Sequence, residues 1–254
     1  MMTVAFPRAG SSALAKPPQV NSEGLRRIGL SAKPLNIMAK CSSDSLSLFE
    51  IPVSPDFSYE ARLYTGGCVA VAGTDEAGRG PLAGPVVAAA VVLDIQNIPF
   101  GLDDSKRLKK SQREQTFTDI LAKAKAIAFC SLSAEQIDRT DVRKASLEAM
   151  RRAVAALGIK VDHVLVDGRD VPPGLNCPAT ALIKGDQRSL SIAAASIVAK
   201  VMRDRGMHEV GTEWIRYGFG NHAGYGTKAH TDALAEHGPV PRIHRFTFAP
   251  LRTR

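Results

Sequence analysis

Two adjacent acids, Asp75 and Glu76, close the apolar run Val69-Ala70-Val71-Ala72-Gly73-Thr74 and lead at once into Ala77-Gly78-Arg79-Gly80. Side chains alternate faces along a strand, so neighbouring acids share a site only where the strand stops. The glycine-flanked turn supplies such a stop. Paired carboxylates repel unless a proton or a cation sits between them, and oxygen-only ligation is what Mg2+ and Mn2+ prefer. Glycines leave backbone groups free to approach a ligand closely. Acids, bare backbone and an arginine together point to phosphate chemistry. On its own an Asp-Glu pair is most often a solvated strand end, but two later segments repeat the pattern. His163-Val164-Leu165-Val166-Asp167-Gly168 and Ala181-Leu182-Ile183-Lys184-Gly185-Asp186 are also apolar runs ending in an acid beside glycine. An α/β sheet offers this arrangement where its strand ends converge on one site.

The elements that must position these acids follow from the pattern of the rest. Val69 to Thr74 and Val86 to Leu93 are apolar, β-branched and joined by a Gly/Pro-rich turn, so they are expected as neighbouring antiparallel strands. Ser111 to Lys125 reads as a helix, with Ser111 as N-cap and Glu114 completing a capping box. Ala126 to Leu132 makes a strand. Asp141 to Leu157 carries apolar residues at helical spacing among basic ones and ends at Gly158, an amphipathic helix. Two more strands lead to Asp167 and Asp186, and a long helix over Ser191 to Trp214 follows. Its first turns are rich in Ala and Ser, small enough to let a helix lie close on a sheet. From pattern alone the fold class is α/β.

Composition sets the frame. With 254 residues and 44% hydrophobic content the chain can bury one sizeable core, as a single domain over 66–254 preceded by an extension over 1–65. The net charge of +8 suits an anionic partner without requiring one. Seven basic and five acidic residues precede position 66, leaving 26 against 20 in the remainder, so the surplus belongs mostly to the folded part. No stretch approaches the roughly 20 apolar residues of a membrane helix. The first 43 residues hold six Lys and Arg against one acid, a composition shared by transit peptides and disordered tails, with Met38 an alternative start. A disordered extension of a cytoplasmic bacterial protein is the expectation, organellar targeting the minority alternative. Cys41, Cys68, Cys130 and Cys177 have no metal-ligand spacing and fit a reducing compartment. His222, His230, His237 and His244 lack the short pair or cysteine partner of a zinc site and are expected on the surface or facing substrate.

Six motifs in order carry a resemblance. Gly73 to Val92, Asp104-Ser105-Lys106-Arg107-Leu108, Val166-Asp167-Gly168, Lys184-Gly185-Asp186, Ser191 to Val201 with Arg203-Asp204, and Gly224-Tyr225-Gly226-Thr227 together resemble bacterial ribonuclease HII over roughly 66–250. The resemblance implies a ribonuclease H-like mixed sheet flanked by helices, with a small helical C-terminal part. It implies an endonuclease that hydrolyses the RNA strand of RNA-DNA hybrids and cuts 5' to ribonucleotides embedded in duplex DNA, leaving 3'-hydroxyl and 5'-phosphate ends. Asp75, Glu76 and Asp167 match the family's metal-binding acids and Asp186 its fourth site carboxylate, with Mn2+ or Mg2+ as cofactor. In-line phosphoryl transfer with one cation at the attacking water and a second at the leaving oxygen is the corresponding chemistry.

The same resemblance assigns Gly78, Arg79 and Gly80 to backbone reading of the ribose 2' hydroxyl, the group that separates RNA from DNA. Tyr225 matches the tyrosine beside the scissile ribonucleotide, and Lys106, Lys184 and Arg203 are candidate phosphate contacts. Arg203 stands next to Asp204, so an ion pair is its alternative role. Two departures bear on affinity. Ala223 stands where the family usually has lysine, and His244-Arg245-Phe246-Thr247-Phe248 replaces a segment that tends to carry two adjacent arginines. Ribonuclease HIII usually lacks the Gly-Arg-Gly form, so Arg79 argues against it. The partners implied are hybrid and ribonucleotide-containing duplex, with no membrane and no obligate protein subunit. A silent hybrid-binding protein and a DNA-only nuclease on the same sheet are the competing classes.

Overall fold

The computed structural model describes residues 2–6 and 54–252, with seven α-helices and six strands among them. The strands are β1 (Met2–Phe6), β2 (Val71–Ala77), β3 (Val86–Val92), β4 (Ala126–Leu132), β5 (His163–Asp167) and β6 (Ala179–Leu182). They form one mixed sheet in the order β1-β4-β3-β2-β5-β6. The β2, β3 and β4 pairings are antiparallel, as is β1 on β4, whereas β5 and β6 run parallel to β2. The helices are α1 (Ser58–Thr65), α2 (Lys110–Lys123), α3 (Ala134–Asp138), α4 (Val142–Ala155), α5 (Leu190–Glu213), α6 (Phe219–His222) and α7 (Lys228–His237).

The period of two along β3 and β4 divides the core. Val86, Ala88, Ala90 and Val92 face Ala145, Ala149, Met150 and Ala153 of α4 on one side of the sheet. Val87, Ala89 and Val91 face Phe117 and Ile120 of α2 and the alanines of α5 on the other. β3 is buried on both faces and reads accordingly as an unbroken apolar run. A smaller cluster of Met207, Tyr217, Phe219 and Ala233 knits the end of α5 to α6 and α7, the expected helical C-terminal part.

Most expected elements are present, with corrections at their ends. The α2 helix starts one turn-fraction early, at Lys110, because the Gln112 side chain accepts from the Lys109 N–H at 3.0 Å. Glu114, expected in the capping box, pairs with Arg205 at 2.6 Å instead. Asp141 caps α4, its carboxylate accepting from the Lys144 N–H. Strand β2 continues through both acids to Ala77, pairing Asp75 with Ala89 and Glu76 with Ala88, rather than stopping before the turn. What stops is its pairing with β5, which ends at Thr74–Val166 and leaves that edge of the acids open.

The folded body also begins before position 66. β1 pairs with the free edge of β4, and α1 packs its Glu60 against the start of α5. Glu60 is 1% exposed, and one of its oxygens accepts from the Ser191 N–H and from the hydroxyls of Ser189 and Ser191. A carboxylate among the unpaired N–H groups of a helix start is favoured by the helix dipole. Residues 7–53, with Met38 and Cys41, lie outside the described residues.

Contact between α5 and β2 is closer than any side chain allows. A Cβ on Gly73 would lie 2.1 Å from the Ser191 carbonyl carbon, a backbone atom that cannot swing away. Gly73→Ala must therefore push the helix off the sheet, and overpacking against backbone costs about 3 kcal/mol or more. Urea denaturation should show a loss of that order; a midpoint equal to that of the parent protein would contradict the packing described.

Candidate active site

The parallel register of β2, β5 and β6 brings three chain segments to one sheet end. Thr74 lies beside Val166, so Asp75 and Glu76 emerge next to Asp167, and Asp167 in turn lies beside Leu182 of β6. From β6 the chain turns through Lys184, whose φ of 54° and ψ of 47° are left-handed, into a single 3-10 turn, Gly185–Gln187, that carries Asp186. Asp167 fastens this turn: its Oδ1 accepts from the Gly185 N–H at 2.6 Å and from the Asp186 N–H at 3.4 Å. Ser189 then caps α5, which runs back across the sheet.

The four acids feel one another's charge in a poorly solvated setting. Asp75 is held well above the ordinary carboxylate range, by burial first and then by Asp167, Glu76 and Asp186, against a hydrogen bond from the Ser196 hydroxyl. Burial likewise raises Asp167, with Glu76 adding to it and the Gly185 and Asp186 N–H groups opposing. Asp186 is pushed up to about 6 by burial and Asp167, although Lys106 resists. Burial raises Glu76 too, while Arg79 pulls it back across a 3.1 Å ion pair. Among the described residues no three such groups close into a ready-made metal cage. Positive charge meets the acids from the flank: the Lys106 Nζ stands 3.3 Å from Asp186. An all-oxygen set of acids that stabilise positive charge between them fits a hard divalent cation.

Lys106 is positioned by the Asp104-Ser105 pair before it. The Asp104 carboxylate accepts from the Lys106 N–H and from the Gln187 side chain, tying this loop to the 3-10 turn. The Ser105 and Ser196 hydroxyls share a 2.9 Å hydrogen bond, and Ser196 also bonds Asp75. The side chains of Lys106 and Arg79 and residue Lys184 are exposed at the site, as phosphate contacts must be.

Gly78 adopts a φ of 94°, and a Cβ there would strike the Arg203 side chain at 2.0 Å. Gly80 is exposed beside Tyr225, whose ring lies 3.9 Å from where a Gly80 Cβ would be. The Gly-Arg-Gly turn and Tyr225, some 145 residues apart in sequence, thus share one rim of the acid cluster. Tyr225 is 43% exposed, with the cations of Lys200 and Arg203 each 5.7 Å from its ring centroid.

Arg203 is a correction. At 1% exposure it donates to the carbonyls of Pro85, Ala83 and Ala223, so it fastens loops rather than touching phosphate. Nor does it pair with Asp204, which meets Lys200 at 2.7 Å and Arg113 at 3.7 Å. Ala223, also left-handed at φ 48°, gives its carbonyl to Arg203. The histidines expected on the surface are corrected as well, since His230 and His244 are fully buried. The Val240 N–H donates to His244 Nδ1, which leaves the His244 proton on Nε2, facing His230 Nε2 at 3.1 Å. The His230 proton is then on Nδ1, bonded to the Tyr225 carbonyl at 2.9 Å. Burial holds both rings neutral, pushing His244 down to about 4. This chain of three bonds, ending under the tyrosine, had no signal in spacing because its members meet only through loops.

A mixed sheet with an acid cluster at its parallel end, flanked by exposed lysines and a glycine-rich turn, defines a metal-dependent nucleic-acid hydrolase of the ribonuclease H type. Comparison with known proteins narrows this. The Ribonuclease HII family profile matches residues 72–251. A ribonuclease HII of Brucella ovis is 59% identical over 217 residues, covering 85% of this chain and 99% of its own. That of Brucella anthropi is 60% identical over the same length. Among solved structures, ribonuclease H2 of Pyrococcus horikoshii has a TM-score of 0.62 at 30% identity, covering 72% of this chain and 95% of its own. Ribonuclease HII of Archaeoglobus fulgidus, solved with PCNA, has a TM-score of 0.60 at 25% identity, covering 73% and 96%. The chain belongs to the ribonuclease HII family, and it is a metal-dependent endoribonuclease acting on the RNA strand of RNA-DNA hybrids.

The raised carboxylates carry a stability consequence. Asp186 has a folded value of about 6 against 3.8 unfolded, so its contribution is fullest below 3.8 and is lost as pH rises through 6. In metal-free protein Asp186→Asn should therefore raise stability at pH 8 by about 2 kcal/mol, an advantage that disappears toward pH 4. Thermal melts of both proteins across that range measure it, and an Asn variant less stable at pH 8 would overturn the charge-crowding account.

Proposed function

We propose that the acid quartet Asp75, Glu76, Asp167 and Asp186 is the hydrolytic centre. We propose also that the enzyme cuts on the 5' side of a ribonucleotide embedded in duplex DNA, as well as within longer hybrids. The observation that carries the reading is the crowding of four carboxylates at one sheet end, Asp75 and Asp186 buried and Glu76 and Asp167 half-buried, beside the exposed Arg79-Gly80 turn and Tyr225. The acids would hold Mg2+ or Mn2+, which when bound supplies an activated water and stabilises the developing negative charge at the leaving oxygen.

The remaining work falls to the chain's own residues. The N–H groups of Arg79 and Gly80 point a pair of donors at a hydroxyl, and the Tyr225 phenol offers a ring face for a sugar and an oxygen for a hydrogen bond. Lys106 and Lys184 attract the backbone phosphates on either side. Affinity carried by such contacts falls steeply as salt rises, by counterion release. A 3'-hydroxyl and a 5'-phosphate are the expected ends. The proposed catalytic and substrate-binding residues all lie within 66–254, on a body that α1 and β1 also join, and we expect a monomer working in the bacterial cytoplasm. Among the described residues no helix is long and apolar enough to cross a membrane.

The test is a duplex carrying one ribonucleotide, incubated with Mg2+, with Mn2+ and with chelator. Cutting at the 5' side of the ribonucleotide should require metal, and an all-DNA duplex of the same sequence should survive. Asp75→Asn and Asp167→Asn should each lower turnover by at least about a thousandfold while binding of the hybrid persists. Tyr225→Ala should lower single-ribonucleotide cutting by roughly tenfold or more. Equal cutting of the all-DNA duplex, or near-normal turnover in either Asn variant, would remove the assignment.

A further inference from the structure

Among the described residues Arg245 is the second buried guanidinium, at 0% exposure, and nothing in the chemistry described so far uses it. Its Nη2 donates to the Gly78 carbonyl at 2.6 Å and to the Pro85 carbonyl at 3.0 Å, its Nη1 to the Arg79 carbonyl at 3.0 Å, and its Nε to the Gly84 carbonyl at 3.0 Å. The Phe248 ring, with its centroid 5.1 Å from the guanidinium carbon, covers one face. Its own backbone is fixed by an N–H bond to the Leu82 carbonyl at 2.9 Å.

Two of those four carbonyls belong to the Gly-Arg-Gly turn, and peptide geometry makes this consequential. In a trans peptide unit the C=O of one residue and the N–H of the next point in opposite directions. Drawing the Gly78 carbonyl inward turns the Arg79 N–H outward, and drawing the Arg79 carbonyl inward does the same for the Gly80 N–H. Neither N–H has an acceptor among the described residues, and both residues are exposed. A turn of this kind, with glycine at a φ of 94°, has several conformations of similar energy in isolation. A planar fork of five donors holding two successive carbonyls selects one of them.

We infer that Arg245 is a positioning residue for ribose recognition, setting the Arg79 and Gly80 N–H groups toward the 2' hydroxyl from behind by fixing the Gly78 and Arg79 carbonyls. The inference rests on the proposed reading of that turn and adds a distant residue to it, 165 positions along the chain. Arg203 acts on the other side of the same turn, where it bonds the Ala83, Pro85 and Ala223 carbonyls and blocks any side chain at Gly78. Lysine cannot replace Arg245, because one ammonium has neither the reach nor the planarity to serve four carbonyls, and burial strips it of charge.

The experiment measures affinity by fluorescence anisotropy in an Asp75→Asn background with Mg2+. It compares a duplex holding one ribonucleotide with the same duplex in all-DNA form. Adding Arg245→Lys should lower the ratio of the two affinities by roughly tenfold while affinity for all-DNA duplex stays unchanged, a split that simple loss of structure does not produce. Phe248→Ala, which removes the ring over the guanidinium and keeps the arginine, should lower the ratio by about threefold and serves if the lysine variant does not fold. An unchanged ratio in whichever variant folds, or a parallel fall in both affinities, would overturn the inference. A background protein with no preference for the ribonucleotide would instead remove the reading of the turn itself.

Discussion

Everything at this site depends on crowding negative charge where water is scarce. Four carboxylates from three chain segments meet at the parallel end of the sheet, each made harder to ionise by burial and most by a neighbouring acid. A fold would not accumulate such a cost for stability alone, since each buried acid disfavours the folded state once ionised. The cost is tolerable because the rest of the domain is rigid enough to resist the acids' tendency to move apart. It is useful because the same crowding attracts the divalent cations that ribonucleases of this family need.

Rigidity comes from close approach rather than from large side chains. β3 is buried on both faces, and α5 lies so near β2 that Gly73 has room for no substituent. Ser189, Ser191 and Ser196 carry polar contacts within this tight layer, the first two to Glu60 and the third to Asp75. The start of α5 is thereby fixed from two directions, by Glu60 of α1 and by the 3-10 turn that Asp167 grips. A displacement of α5 would be transmitted directly to Asp186. Small residues near the site thus serve precision, because a short interhelical or helix–sheet distance leaves little freedom for either partner to shift.

The rim that faces substrate is supported differently, by polar groups buried beneath it. Arg203 and Arg245 are lodged among backbone carbonyls and share that of Pro85, and a line of hydrogen bonds from Val240 through His244 and His230 ends at the Tyr225 carbonyl. Buried guanidinium groups are costly unless their donors are used, and here almost all are, by carbonyls that would otherwise be unpaired in loops. Of the nitrogens of these two guanidinium groups, only Arg203 Nη1 lacks a hydrogen-bond partner among the described residues. Loops carry recognition but have no ladder of their own to hold them, so side chains from the C-terminal part take over that function.

The sequence by itself determined the α/β class, the strands leading to Asp75, Glu76 and Asp167, the small-residue helix after Asp186 and the family. Those features are local: apolar period, glycine position and acid placement are all readable along one segment. It did not determine where α2 is capped, that β2 runs through its acids, that α1 joins the body, or that Arg203, His230 and His244 are interior. A lone arginine or histidine carries the same formula whether it meets solvent, phosphate or a ring of carbonyls, and hydrogen-bond partners more than a hundred residues distant leave no periodic trace. Only the tertiary structure decided that the Gly-Arg-Gly turn rests on Arg245, because that support exists through a contact between two loops that no local pattern encodes.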